Sequence, residues 1–305
     1  MSNTRQQAAT PRYQPGDLVE VRGEAEVRAT LDAAATLDGL PWMPEMTKFC
    51  GQKFRVFRRV HHVFIDYHQY VAGIEKTVLL DGVRCDGRWH QACRMRCMIL
   101  WKEAWLRPVG DSEEVKPRGP DGCFLNGLEL PAERDERLCC QATELTRASR
   151  PLPWWRFGQY RRALAAGDVT LREIAAAFAF VIRRRLRARW NRLRPKPREK
   201  AAAATLNLQP GDEVEVKSWA EIKATLDADG KNRGLAFTPE MAQYCGQKHR
   251  VADRVDRIVI EWTGEVCSLK DTVTLEGVTC RGIVGKMCPR NCYQLWREVW
   301  LRHVD

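Results

Sequence analysis

The chain has 305 residues, with 50 lysines and arginines against 39 acidic residues and a formal net charge of +11. Its 44% apolar content excludes a wholly disordered chain, and the composition excludes collagen-like, mucin-like and coiled-coil classes. The longest unbroken apolar run, Ile174 to Ile182, is nine residues, far short of the ~20 that span a bilayer.

In chain order, Gln14-Pro15-Gly16-Asp17 predicts a turn feeding a strand through Leu18, Val19 and Val21. A short helix follows. A second helix is expected to open at Pro44, a favoured first helical position, and to stop at Gly51. Gly51 to Ile65 alternates as a strand, with Val56 and Val60 inward and Arg55 and Arg59 outward. Val78 to Leu80 reads as another strand ending at Cys85, Cys97 to Glu103 as helical, and Trp105 to Val109 as a closing strand.

This series then repeats. Residues 14–109 recur as residues 209–304 at a constant offset of 195, without a gap and with 45 identities in 96 positions. In the second copy the short helix opens on Ser218-Trp219-Ala220-Glu221, which has capping-box spacing, and carries Ile222 and Leu226 on one face. A period this long indicates a tandem duplication, not a solenoid. The expected fold is mainly β with short helices (α+β): two tandem small, bent β-barrels of the Src-homology or KOW kind, 14–109 and 209–304, joined by a basic connector, 110–208.

The connector holds the charge. The modules carry +2 and zero, and the connector +8. Its first part, Asp111 to Pro153, is irregular and contains Cys123, Cys139 and Cys140. From Thr170 to Arg194 an amphipathic helix is expected, with Ile174, Phe178, Ile182, Leu186 and Trp190 on one face, until Pro195 and Pro197 stop it. Arg183, Arg184, Arg185, Arg187, Arg189, Arg192 and Arg194 surround Trp190 and form a candidate anion-binding face. An anionic membrane surface, a protein-binding linker and nucleic acid are the alternatives. Nucleic acid is disfavoured, because module two is neutral and lacks strands with clustered aromatic and basic residues.

Cysteine placement is the strongest chemical signal. Twelve cysteines in a chain with no export pattern at Met1 to Tyr13 point to a cytoplasmic protein with metal or redox chemistry, not a disulfide framework. Cys50, Cys85, Cys93 and Cys97 map onto Cys245, Cys280, Cys288 and Cys292. Four thiolates converging in each module fit a structural zinc, giving two zinc sites, with Cys93 and Cys97 on one helix face. An iron–sulfur cluster needs the same four thiolates, and cysteines packing as small hydrophobes are the third reading.

Other candidates have bland explanations. Trp101, Trp105, Trp296 and Trp300 read as a binding platform or, more commonly, as core. No histidine is shared by the two copies, so a histidine ligand common to both is disfavoured, although module one, with His61, His62, His68 and His90, is richer in candidates. Among shared carboxylates, Glu45 sits in a helical first turn where the macrodipole favours an anion, and Glu103 has Lys102 and Arg107 as neighbours. No catalytic signature is present, so the expectation is a binding protein.

The chain resembles a family of uncharacterised bacterial proteins associated with surface-polysaccharide gene neighbourhoods. The resemblance rests on GD-x-VEV at Gly16, ATLD at Ala29, MPEM at Met43, CG at Cys50, VRCDG at Val83, CQATEL at Cys140 and W-x-E-x-WL at both module ends. It implies a role near capsule or exopolysaccharide assembly, docking or regulating glycosyltransferase-type machinery at the inner face of the membrane.

Overall fold

In the computed structural model the described residues are 13–65, 70–110, 133–134, 137–152, 205–282 and 288–304, with positions 161, 164, 170–172, 174–175, 178–179, 182 and 186 of the connector. Module one runs β1 (Leu18–Val21), α1 (Glu24–Arg28), β2 (Thr36–Leu37), β3 (Leu40–Pro41), a 3-10 helix (Pro44–Phe49), β4 (Lys53–Ile65), β5 (Tyr70–Arg84), β6 (Met98–Lys102), a 3-10 turn (Glu103–Trp105) and β7 (Leu106–Pro108). From the connector come β8 (Glu133–Arg134), β9 (Arg137–Leu138), α2 (Leu145–Ala148) and β10 (Arg150–Leu152). Module two repeats the plan: β11 (Glu213–Val216), α3 (Trp219–Ala224), β12 (Lys231–Asn232), β13 (Leu235–Ala236), a 3-10 helix (Met241–Tyr244), β14 (Lys248–Arg254), β15 (Arg257–Val259), β16 (Val266–Ser268), β17 (Thr272–Leu275), β18 (Trp296–Arg297), a 3-10 turn (Glu298–Trp300) and β19 (Leu301–His303).

The main sheets have matching order, β10-β5-β4-β1-β7 with β6 also on β5, and β18-β17-β14-β11-β19. In each the first strand lies between the second and the last. The 3-10 turn joins strands on opposite edges, so three residues bridge the edges and the sheet has to curl. No ladder closes it among the described residues. The α+β class stands, as two curled antiparallel sheets, each with its own core.

Local chemistry explains the elements. Ser218 caps α3: its hydroxyl accepts from the Glu221 amide at 3.4 Å, and Glu221 accepts from the Ser218 amide at 2.9 Å. Both 3-10 helices end just before a glycine in the left-handed region, Gly51 at φ +71° and Gly246 at φ +76°. Val56 and Val60 face inward as expected, but Arg59 turns in far enough to pair with Glu103 at 2.6 Å.

One element differs from expectation. Cys97 to Glu103 is not helical: β6 occupies Met98–Lys102, and all five residues are buried. A continuous apolar run fits a strand covered on both faces as well as a helix. Here the cover comes from the connector, where Gln141 accepts from the Leu100 amide at 2.8 Å and donates to the Leu100 carbonyl at 2.9 Å. Leu145 and Ala148 complete the same core, and β10 pairs with β5. The sequence repeat stops at residue 109, but the module-one core continues through the connector.

Candidate metal centre

The 3-10 helix at Pro44–Phe49 turns Glu45 inward, β5 delivers Cys85 at its end, and the loop after it returns His90 to the same point. Consecutive turns shape that loop, with His90 N–H bonded to the Gly87 carbonyl at 3.0 Å and Cys93 N–H to the His90 carbonyl at 3.1 Å. Gly87 sits at φ +73°, and a Cβ there would meet the Cys93 carbonyl oxygen at 1.9 Å, so only glycine fits. Lys48 on the 3-10 helix clamps the loop through Asp86 at 2.7 Å.

His90 Nε2 lies 2.9 Å from Glu45 Oε1, and Cys85 Sγ donates to the same oxygen at 3.2 Å. The three ligand atoms all lie within 4.8 Å of one another, the one such group of three among the described residues. The Glu45 and His90 side chains are 2% and 3% exposed. Glu45 Oε2 and His90 Nδ1 are buried and find no hydrogen-bond partner. Burial, then the Glu45 charge, pushes the Cys85 thiol well up, against the Gly87 amide that donates to its sulfur at 3.3 Å. One oxygen, one sulfur and one imidazole nitrogen form a donor set that suits zinc.

In module two Glu240 stands beside Cys280 and raises its thiol, after burial. The histidine is missing: Glu240 accepts instead from the Arg281 amide at 2.9 Å and from Gln294 at 3.4 Å. The Gly282 amide donates to Cys280 Sγ at 3.2 Å, so the Cys-x-Gly turn is common to both modules.

The eight cysteines expected as ligands divide. Only Cys85 joins the close group, and neither module gathers its four thiols within 4.8 Å of one another. Cys50 and Cys245 follow the 3-10 helices, where each packs against its module core. Cys93 and Cys97 share no helix; they lie in and after the loop, and Cys93 and Cys288 face the contact between the modules, accepting from the Val259 and Phe64 amides. Trp101, Trp105, Trp296 and Trp300 are each 0% exposed and form the cores, which overturns the platform reading. Trp42 meets Trp101 and Trp105 edge-on at 5.7 and 5.2 Å, and Phe237 meets Trp296 and Trp300 at 6.0 and 5.2 Å.

Arg183, Arg184, Arg185, Arg187, Arg189, Trp190, Arg192 and Arg194 lie outside the described residues, as does Cys123. No helix among the described residues is long and apolar enough to cross a membrane. Sequence reasoning missed Glu45 as a partner of Cys85. Its only signal was a carboxylate retained in both repeats. A scan against protein-family models, a search of curated proteins and a search of solved structures each returned no match.

Proposed function

We propose that the chain is a non-enzymatic, metal-stabilised scaffold protein in which Glu45, Cys85 and His90 hold a zinc ion. The observation that carries this reading is that the ligand atoms of Glu45, Cys85 and His90 lie within 4.8 Å of one another, with the Glu45 and His90 side chains almost fully buried. A carboxylate, a thiol and an imidazole gathered this closely form a donor set that a zinc ion would complete. Catalytic zinc also uses three protein ligands but keeps an open face for substrate. Side chains that are 2% and 3% exposed support a structural role instead.

Each module is, in this reading, a small bent barrel of the Src-homology kind, as the return of the last strand to the first supports. The sequence resemblance supports surface-polysaccharide assembly as the setting, with the scaffold docking glycosyltransferase-type machinery at the inner membrane face. Elemental analysis of the chain purified without chelator tests the metal. A zinc equivalent is expected, lost in His90→Ala and in Glu45→Gln, with earlier melting of module one. A zinc-free chain whose stability is unchanged by chelator ends the reading. A brown sample carrying iron and sulfide replaces it with the iron–sulfur alternative.

A further inference from the structure

The loop that brings His90 to Glu45 also holds module two. Residues 86–97 leave the end of β5 and return to β6, and their ends are tied together. The Cys85 amide donates to the Cys97 carbonyl at 2.9 Å, and Arg84 donates to the Arg96 carbonyl at 2.9 Å. The near limb of the loop carries His90. The far limb, Gln91 to Arg96, lies against module two. There the Arg94 amide donates to the Arg257 carbonyl at 2.8 Å, and the Arg257 guanidinium donates to the Gln91 carbonyl at 3.2 Å. The Val259 amide donates to Cys93 Sγ at 3.4 Å. The loop thus covers the outer edge of β15, whose other edge pairs with β16.

Charge fixes the same contact. Arg96 lies 3.2 Å from Asp253 on β14, and Arg94 lies 3.6 Å from Asp253 and 3.9 Å from Asp256. The repeat equivalents of Arg94 and Arg96 are Pro289 and Asn291, and those of Asp253 and Asp256 are Arg58 and His61. The loop of module two cannot repeat these ion pairs on module one. The charged grip is one-sided, and it belongs to the loop that holds His90.

The backbone of the far limb is strained. Gln91, Ala92 and Arg96 sit in the left-handed region, at φ +49°, +59° and +47°, which side chains other than glycine's occupy at a cost. Such backbone persists where its surroundings over-determine it. Two surroundings do so here: the Glu45–Cys85–His90 group on one side and the β14–β15 face of module two on the other. Gly87 joins the two limbs, because it packs directly on the Cys93 carbonyl, one residue before Arg94.

We propose that metal occupancy of the Glu45–Cys85–His90 group controls the docking of module two, with residues 86–97 as the strap that links them. This inference rests on the zinc reading of that group and adds its consequence: the ion and module two select the same loop conformation. An ion that draws Cys85 and His90 onto Glu45 fixes the near limb and presents the far limb to β15. Loss of the ion releases the near limb, and the contact with module two loosens. Linkage makes the effect reciprocal, so weakening the contact must weaken zinc binding by the same factor.

Zinc affinity and amide exchange of the full chain together test the coupling. Asp253→Asn removes a charge in module two, outside the metal group, and should weaken zinc binding about five-fold or more in competition with a chromophoric chelator. Arg94→Gln/Arg96→Gln should do the same from the loop side. In the unaltered chain, removing zinc with EDTA should speed exchange of the Val259 amide by a similar factor. The Val251 amide, bonded to the Asp212 carbonyl inside module two at 2.9 Å, should keep its rate. Should Asp253→Asn fail to fold, the arginine variant decides, since those side chains are 48% and 54% exposed. Unchanged zinc affinity in the folded variants, or an unchanged Val259 rate, overturns the coupling while the His90-dependent zinc stands. A chain that holds no zinc by elemental analysis overturns the zinc reading and the coupling together.

Discussion

Arg59 reaches from β4 to Glu103 at 2.6 Å, and 195 residues later Arg254 reaches Glu298 at 3.3 Å in the same position. The Arg59 and Glu103 side chains are 11% and 10% exposed, so the pair is largely taken out of water. Removing one member of such a pair strands the other charge, at a cost of about 3 kcal/mol or more, whereas replacing both with apolar groups is often close to neutral. Arg59→Met is therefore expected to lower the denaturant midpoint of module one sharply, and Arg59→Met/Glu103→Met to recover most of the loss. A double-mutant cycle by urea denaturation measures this. Additive losses would show that the two charges are not coupled.

Gly87 and Gly51 share nearly the same backbone, φ +73° and +71°, but differ in what surrounds them. A Cβ on Gly51 meets nothing within 4 Å, so Gly51→Ala costs only the left-handed strain, about 1 kcal/mol. A Cβ on Gly87 runs into the Cys93 carbonyl, so the loop must move and take His90 with it. Gly87→Ala is expected to lose the His90-dependent zinc and to melt clearly below Gly51→Ala. Equal zinc content and equal melting in the two variants would mean that the loop does not position the site.

Much of this was legible in the sequence and some was not, for physical reasons. The strand that opens on Leu18, the helix capped by Ser218 and the turn glycines at 51 and 246 follow from local chemistry, and local chemistry is what a sequence displays. Repetition exposed the two units because 195 residues separate every matching pair. Glu45 stayed hidden because a first-turn carboxylate already has a sufficient explanation, and its bond to His90 spans 45 residues. Cys97 was misplaced because a spacing of four from Cys93 suggests a helix, whereas the chain makes a loop there and enters β6 at Met98.

Gln141 illustrates how the connector serves module one. It is 5% exposed and closes both backbone groups of Leu100, while also donating to the Pro41 carbonyl at 3.2 Å. Gln141→Leu fills the space but leaves buried backbone groups unsatisfied, at about 1–3 kcal/mol each. A fall of roughly that size in the module-one denaturant midpoint is expected, with module two unaffected. Because the loss is local to one core, tryptophan fluorescence and amide exchange near β6 should report it together. An unchanged midpoint would mean that water replaces Gln141 without cost.

His249 offers a pH test away from the cysteine sites. It stands where module one has Phe54, beside the Tyr244 ring at 5.4 Å, and burial holds its pKa below the usual histidine value. A depressed folded pKa means the unfolded chain takes up the proton first. Its contribution to stability is present above the unfolded value near 6.5 and is lost as pH falls through the folded one. His249→Phe, borrowed from the other repeat, should therefore flatten the decline of module-two stability below about pH 6.5. Denaturant midpoints of the two proteins across that window provide the comparison; parallel slopes would remove His249 as the titrating group.

The last expectation concerns the connector. Leu171, Phe178, Ile182 and Leu186 occupy helical positions and are 72%, 39%, 57% and 62% exposed. Ten lysines and arginines follow between Arg183 and Lys200. An apolar stripe beside such a charge run matches the interface of an anionic bilayer, where each basic residue near the surface adds about 1 kcal/mol. The full chain should sediment with vesicles containing phosphatidylserine, and salt should release it as the screening length shrinks from about 8 Å. Leu186→Asp should weaken sedimentation without changing the melting of either module, since this side chain stands in solvent. Equal sedimentation with purely zwitterionic vesicles would remove the arginines from the explanation. No sedimentation with either would leave the stripe to a protein partner, for which the glycosyltransferase-type machinery of the proposed setting is the first to test.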